Sequence, residues 1–366
     1  FLLLLSMAGD TSVSVNLRRE TYARLTTYKD DTKCKDYSTA IENLLQVVLR
    51  PTSARVTRKK DSKLFLAICY LYRFGLIALG LYLLYQLAFF LYFPLFQVTQ
   101  HPGDGKRVLF YGDPQIEGFA RIKRQGIFGK IQNFYNDCYM KWVFRRTLAL
   151  LEPDMVVLLG DLVSSQHISY PEFQSRVIRL RWIFELPAGK EDLKIVWLAG
   201  NHDIGYGSDC TPKRLERFEK EFGAQNQYFE YLGQKWLMFN SQVIDGARFE
   251  RFHNETLEFL DQCRGDHLST RDSKDGKPLI VLDHIPLYKP RGNCHDAPKI
   301  EKDSEGYIET QTMLSLKSSH LILSFGPTWI FNGHDHNGCF YEHRMERGVV
   351  REVTLRSMMG DYGGDS

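Results

Sequence analysis

Seven side chains able to bind a cation recur in one kind of place, the polar residues that follow a short apolar run. Asp113 and Gln115 follow "RVLFYG", and Asp161 follows "DMVVLLG". Asn201 follows "IVWLAG", His284 follows "LIVLD", and His334 and His336 follow "TWIFNG". Asn, Asp and Gly are ordinary turn residues, and a turn explains one such ending well. It explains five of them badly. Carboxylate, amide oxygen and imidazole are ligands for hard and borderline divalent cations, with no thiolate needed. Seven candidates exceed a single tetrahedral zinc site. They suit two cations about 3.5–4 Å apart that share one carboxylate. His202 and Asp203 directly follow Asn201, which adds an imidazole and a carboxylate fit for proton transfer.

Positioning these groups calls for strands whose carboxyl ends meet. Each apolar run is long enough for a strand covered on both faces. In α/β folds the ligand site lies beyond the carboxyl ends of the strands, where glycine lets the chain turn sharply. Helical patterns separate the strands. "FYNDCYMKWVFRRTLALLEP" predicts an amphipathic helix ended by Pro153, with Asn136 and Asp137 as helix caps. "TPKRLERFEKEFG" predicts a second helix, ended by Gly223. The alternation implies a mainly parallel core with helices outside it, over residues 105–358. The Pro-, Gly- and charge-rich region Lys289–His320 is expected to be a long loop covering the site. Arg291 in that loop is read as solvated, and Asp283, Asp335 and His295 as structural.

The N-terminal third has another character. From Phe74 to Phe93 no charge interrupts twenty residues, enough to cross a hydrocarbon core of about 30 Å. Residues 64–96 are therefore expected to form a transmembrane helix. Arg55, Arg58, Lys59, Lys60 and Lys63 precede it and predict a cytosolic segment 1–63, with the catalytic domain lumenal. Residues 1–63 hold 12 Lys/Arg against 7 Asp/Glu, net +5, which leaves the remainder of the +3 chain at −2. Such a balance gives no argument for a nucleic-acid partner. The first ten residues, which start without Met, are read as a gene-model or cloning remnant. "SVSVNL", "RRETYARLTTYK" and "YSTAIENLLQVVL" faintly resemble a ribbon-helix-helix module, but an amphipathic cytosolic tail accounts for them. Five of the seven cysteines follow the span, where disulfides are permitted, and no CxxC suggests a zinc–thiolate site. The chain's one N-x-[ST] sequon, Asn254-Glu255-Thr256, also follows the span.

The blocks "GDPQIEG", "GDLVSSQ", "AGNHDIGYG", "DHIPLYK", "GHDHNGC" and "EVTLRSM" occur in an order that resembles the calcineurin-like metallophosphoesterases. Their details are similar to the fungal membrane phosphodiesterases that remove ethanolamine phosphate from glycosylphosphatidylinositol (GPI) anchors. The resemblance implies two face-packed β-sheets flanked by helices. It implies one metal held by Asp113, Gln115 and His336 and another by Asn201, His284 and His334, with Asp161 bridging. It makes His202 the acid that protonates the leaving alkoxide, with Asp203 orienting its imidazole. Gln115 stands where most of the superfamily has histidine; its harder oxygen shifts the expected metal toward manganese. The implied setting is GPI-anchor remodelling in the endoplasmic reticulum membrane, with the GPI glycan as substrate and cargo-sorting receptors as partners. Two other readings stay open: a phosphatase or phosphodiesterase acting on other substrates, and a weakly catalytic adaptor in cargo sorting.

Overall fold

The computed structural model describes residues 3–7, 13–14, 61–92, 105–271, 276–346 and 348–359. It divides into two units, residues 17–99 and a larger one made of residues 1–16 and 100–366. In the smaller unit the described part is one helix, α1 (Asp61–Tyr92). Its stretch Leu66–Ala88 is long and apolar enough to cross a membrane, and none of it is buried. An apolar helix exposed all round, with Leu71 and Phe74 at 70% and 72%, suits a lipid environment rather than water. Residues 93–96 of the expected span, and the two helical patterns of the N-terminal tail, lie outside the described residues.

The larger unit is built on two sheets. In the first, β1 (Leu3–Met7) and β2 (Val13–Ser14) flank a parallel core of β3 (Lys106–Tyr111), β4 (Met155–Leu158) and β5 (Lys194–Trp197). Helices α2 (Phe119–Leu151) and α3 (Tyr170–Ile183) make the crossovers between these parallel strands. A four-residue helix, α4 (Asn201–Ile204), follows β5 and leads to α5 (Pro212–Phe222). Thr211 caps α5 through its hydroxyl, and Gly223 ends it with φ +91°, as the sequence predicts.

The second sheet begins with the hairpin β6 (Gln227–Tyr231) and β7 (Gln234–Met238), then α6 (Glu250–Arg271) and β8 (Leu279–Leu282). A small hairpin of β9 (Ile300–Lys302) and β10 (Ile308–Gln311) and helix α7 (Leu316–Leu323) precede β11 (Trp329–Asn332), β12 (Cys339–Met345) and β13 (Gly348–Thr354). The order is β12-β13-β11-β8-β7-β6, parallel through the four middle strands and antiparallel at both edges.

The two sheets bury a common core of alternate residues. Phe110 and Val157 of the first meet Trp236, Ile280 and Phe331 of the second, and the rings of Phe110 and Phe331 stack at 4.2 Å. Removing a ring such as Phe110, which is fully buried, costs about 3–5 kcal/mol. On the outer face of the first sheet Tyr111 and Phe144 each meet Phe184 edge to face and lie tilted against one another. On the outer face of the second, Leu260 of α6 and Ile322 of α7 close another apolar layer.

Two expectations are corrected. Region 289–320 is not one long loop: it holds β9, β10 and the start of α7. Asn136 and Asp137 are not caps, because α2 begins well before them; Asp137 is buried and bound bidentately by Arg179 at 2.6 and 2.8 Å. Leu3–Met7 pair antiparallel with Lys106–Phe110. A strand on the catalytic sheet lies on the catalytic side of any membrane. This pairing, a single crossing by α1 and a wholly cytosolic segment 1–63 therefore cannot all hold together.

Candidate metal centre

Because the middle strands of each sheet run parallel, their carboxyl ends bring the seven sequence-predicted residues to one place. The backbone is strained there. Asp113, Gln115, Asp161 and His334 have φ of 39°, 40°, 50° and 73°, the left-handed region that side chains other than glycine rarely adopt. Strain of about 1–3 kcal/mol at each of these positions persists where the surroundings impose it, as at functional sites. Two glycines are needed for close approach as well as turning. A Cβ on Gly160 (φ +99°) would lie 2.4 Å from His284 Nδ1, and one on Gly200 would lie 2.0 Å from Asp161 Oδ1.

Asp161 divides its two oxygens between two groups of side chains. Oδ1 lies 3.4 Å from His284 Nε2, which is itself 3.1 Å from Asn201 Oδ1. Oδ2 lies 3.2 Å from the amide of Gln115, which is 3.1 Å from His336 Nε2. The ligand atoms of Asp161, His284 and His334 all fall within 4.8 Å of one another. Asp113 is fully buried; its Oδ2 accepts the His334 backbone N–H at 2.9 Å, while its Oδ1 accepts no hydrogen bond.

Main-chain carbonyls fix the imidazoles. His284 Nδ1 donates to the Leu159 carbonyl at 2.7 Å, and His334 Nε2 donates to that of Gln311 at 2.8 Å. These bonds present His284 Nε2 and His334 Nδ1 as the free ring nitrogens, the usual second-shell arrangement of a metal-binding histidine. His284 Nε2 then faces two oxygen acceptors, an arrangement that requires a proton or a cation between them. Burial opposes charge on His284, but Asp161 and Asp113 outweigh it and push its pKa up to about 10. Burial alone would raise Asp161, yet His284 and His202 hold it below the usual carboxylate range. Burial lifts Asp113 to about 8 despite the nearby His284. Burial and the charge of His284 bring His334 down to about 3. A buried acceptor without a donor and an all-oxygen-and-nitrogen ligand set fit hard or borderline divalent cations, which would displace that proton.

His202 is half-buried beside this cluster; its backbone N–H donates to Asp161 Oδ1 at 2.8 Å. Its ring is near enough to contribute to the field at Asp161, His334 and His336. Asp203 does not serve the role expected of it. Its Oδ2 accepts from Leu162 N at 2.8 Å and Gly200 N at 3.0 Å, and its Oδ1 from Val163 N at 2.8 Å. The carboxylate ties the loop after β4 to the loop after β5 and is not spent on the His202 ring.

Sequence reasoning overlooked Tyr206 and Gln311. The Tyr206 ring meets His334 edge-on at 6.1 Å, and its hydroxyl donates to the Gln311 carbonyl at 3.4 Å. Tyr206 lies in the "GNHDIGYG" block, where its spacing was the available signal; a carbonyl such as that of Gln311 has none. A disulfide joins Cys294 to Cys339, three residues after His336. Close by, His295, Asp296 and Asp335 bring three ligand atoms within 4.8 Å of one another, with His295 exposed. Arg291 is exposed, as expected.

A Schizosaccharomyces pombe protein of uncharacterised function is 30% identical over 295 residues, covering 70% of this chain and 67% of its own. Protein TED1 of Saccharomyces cerevisiae is 26% identical over 352 residues, covering 71% and 72%. Metallophosphoesterase 1 of Pongo abelii is 30% identical over 234 residues, covering 60% of this chain and 57% of its own. The family model for calcineurin-like phosphoesterases matches residues 106–338, from the first strand of the parallel core to just past the last candidate ligand. A match of that extent identifies the chain as a calcineurin-like phosphoesterase, a metal-dependent hydrolase.

Proposed function

We propose that the protein is a phosphodiesterase that removes ethanolamine phosphate from a mannose of the GPI-anchor glycan, working with two manganese ions in the lumen of the endoplasmic reticulum. The observation that carries the dinuclear chemistry is Asp161, whose oxygens face two separate groups of candidate ligands. The substrate reading is supported by the six sequence blocks that resemble the fungal GPI-remodelling branch, and by similarity to TED1 and Metallophosphoesterase 1. The exposed apolar helix α1 and its basic N-terminal flank support membrane anchoring and a lumenal catalytic domain.

Asp113, Gln115, Asp161 and His336 would hold one cation, and Asp161, Asn201, His284 and His334 the other. When bound, the pair supplies an activated water and offsets the charge that builds on the phosphate oxygens. Leu159 and Gln311 keep His284 and His334 in the tautomers that ligation needs. His202 protonates the departing sugar oxygen, and Asp203 holds the loops on either side of it in register. Gln115 offers an amide oxygen where an imidazole would favour zinc or iron, which supports manganese.

Mass analysis of GPI glycans from cells with and without the protein tests the substrate. Loss of the protein should leave an additional ethanolamine phosphate; an unchanged count refutes the GPI reading and leaves the metal centre standing. Turnover by the purified full-length chain separates an enzyme from a cargo-sorting adaptor.

A further inference from the structure

Beyond Gly126, α2 carries an apolar stripe that no described residue covers. Gly126 interrupts the helix with φ +57° and ψ −130°, and beyond it Ile127, Phe128, Ile131 and Phe134 are 64%, 76%, 58% and 55% exposed. Their spacing puts them on one face of the helix. Asn133, Asp137, Met140 and Phe144, on the opposite face, are buried against the domain. Phe and Ile exposed to this degree in a contiguous stripe mark a surface made for contact.

Charge identifies the contact. Residues 119–135 contain Arg121, Lys123, Arg124 and Lys130 and no Asp or Glu. An apolar face with basic residues near it in the sequence suits the boundary between lipid phosphates and acyl chains. Chain length agrees. Thirteen residues separate the end of α1 at Tyr92 from Lys106, and fully extended they reach about 45 Å. The catalytic unit therefore cannot move far from a bilayer that α1 crosses.

We infer that the Ile127–Phe134 face of α2 inserts into the lipid surface and holds the catalytic unit against it. The same two helical turns present Asn133 inward, where it lines a cleft together with Gln115, Asp137 and Arg179. Membrane seating would keep the catalytic unit, whose Gln115 shares that cleft, close to a lipid-anchored phosphodiester. The inference rests on the reading of α1 as a membrane span.

The test uses the full chain in phosphatidylcholine vesicles with and without phosphatidylserine. In Phe128→Trp the introduced indole, read as the difference from wild type, should emit as in an apolar medium and be quenched by lipids brominated along the acyl chain. The double variant Ile127→Asp/Phe128→Asp should keep wild-type turnover of water-soluble bis(p-nitrophenyl) phosphate. It should lose about tenfold on a p-nitrophenyl phosphodiester carrying a dialkylglycerol tail in the vesicles, the scale of a modest loss of positioning. An unquenched indole, or equal activity of the double variant on both substrates, overturns the proposal. So does a protein partner, or a second copy of the chain, that the double substitution releases. Alkaline carbonate separates the premises. Release of the wild-type chain from the vesicles overturns the span reading and the proposal with it, whereas a retained chain with an unquenched indole overturns the proposal alone.

Discussion

Replacing Asp203 by Asn keeps the shape of the side chain and removes its charge, which separates a structural tie from a partner of His202. The native carboxylate accepts two amides on Oδ2, from Leu162 and Gly200, and one on Oδ1, from Val163. The best orientation of an asparagine keeps its oxygen toward Leu162 and Gly200. Its NH2 group then faces the Val163 N–H. One buried donor is left unpaired, at about 1–3 kcal/mol, and two charge-assisted bonds weaken by about 1 kcal/mol each. The sum is about 3–5 kcal/mol. For a domain this size each kcal/mol lowers Tm by about 2–4 °C, so a fall of roughly 10 °C is expected. Thermal unfolding of the detergent-solubilised full chain measures it. Metal content should fall as well, since the tied loops carry Asp161 and Asn201. An unchanged Tm and metal stoichiometry, together with a displaced acid limb in the pH–activity profile, would show that Asp203 acts on His202 after all.

His202→Ala should retain both metals and lose about 10²–10⁴-fold in turnover; loss of metal would make His202 a ligand. Activity should vanish with a chelator and return best with manganese, and Gln115→His should turn the preference toward zinc or iron; a wild-type protein most active with zinc contradicts the hard-ligand argument. Asn254, exposed near the start of α6, should be glycosylated in a eukaryotic host, so Asn254→Gln should abolish the endoglycosidase shift. In sealed microsomes the catalytic domain should resist added protease; digestion refutes the lumenal placement, and an N-terminal epitope reports which side Leu3–Met7 occupy. Buried Glu352 accepts from Lys289 at 2.7 Å and His343 at 2.6 Å. Burial opposes its charge, but Lys289 and His343 prevail and depress its pKa from 4.5 to about 2. A depressed carboxylate stabilises the fold above its unfolded pKa and loses that contribution as pH falls through its folded one. Lys289→Met should therefore cost about 3–5 kcal/mol near neutral pH, and the Tm gap to wild type should shrink as pH drops from 4.5 toward 2; a gap independent of pH would refute the pairing.

The strands and the clustering of the candidate ligands were legible because each apolar run ends in glycine or a carboxylate followed by a polar residue, and parallel strands bring such ends together. The role of Asp203 was not. Neighbouring positions in a helix do not face each other, so adjacency to His202 within Asn201–Ile204 aims the carboxylate elsewhere. Asp137 looked like a cap because the helix that contains it begins eighteen residues earlier, at Phe119, in a stretch whose pattern is broken at Gly126. The β9–β10 hairpin was hidden because Ile300, Glu301 and Lys302 are all exposed, which erases the alternation by which a strand is recognised. The Cys294–Cys339 pair could not be chosen among seven cysteines without the fold.

The oxygens that set the two histidine tautomers belong to the main chain, at Leu159 and Gln311. A codon change cannot delete a peptide carbonyl. Whatever residue replaces Gln311, the oxygen that steers His334 stays in place as long as β10 keeps its course. The supporting layer of the centre is thereby insulated from mutational drift: the lineage can exchange the side chain at that position while the imidazole goes on presenting the same nitrogen. Variants at Gln311 should in consequence damage local packing before they disturb the centre.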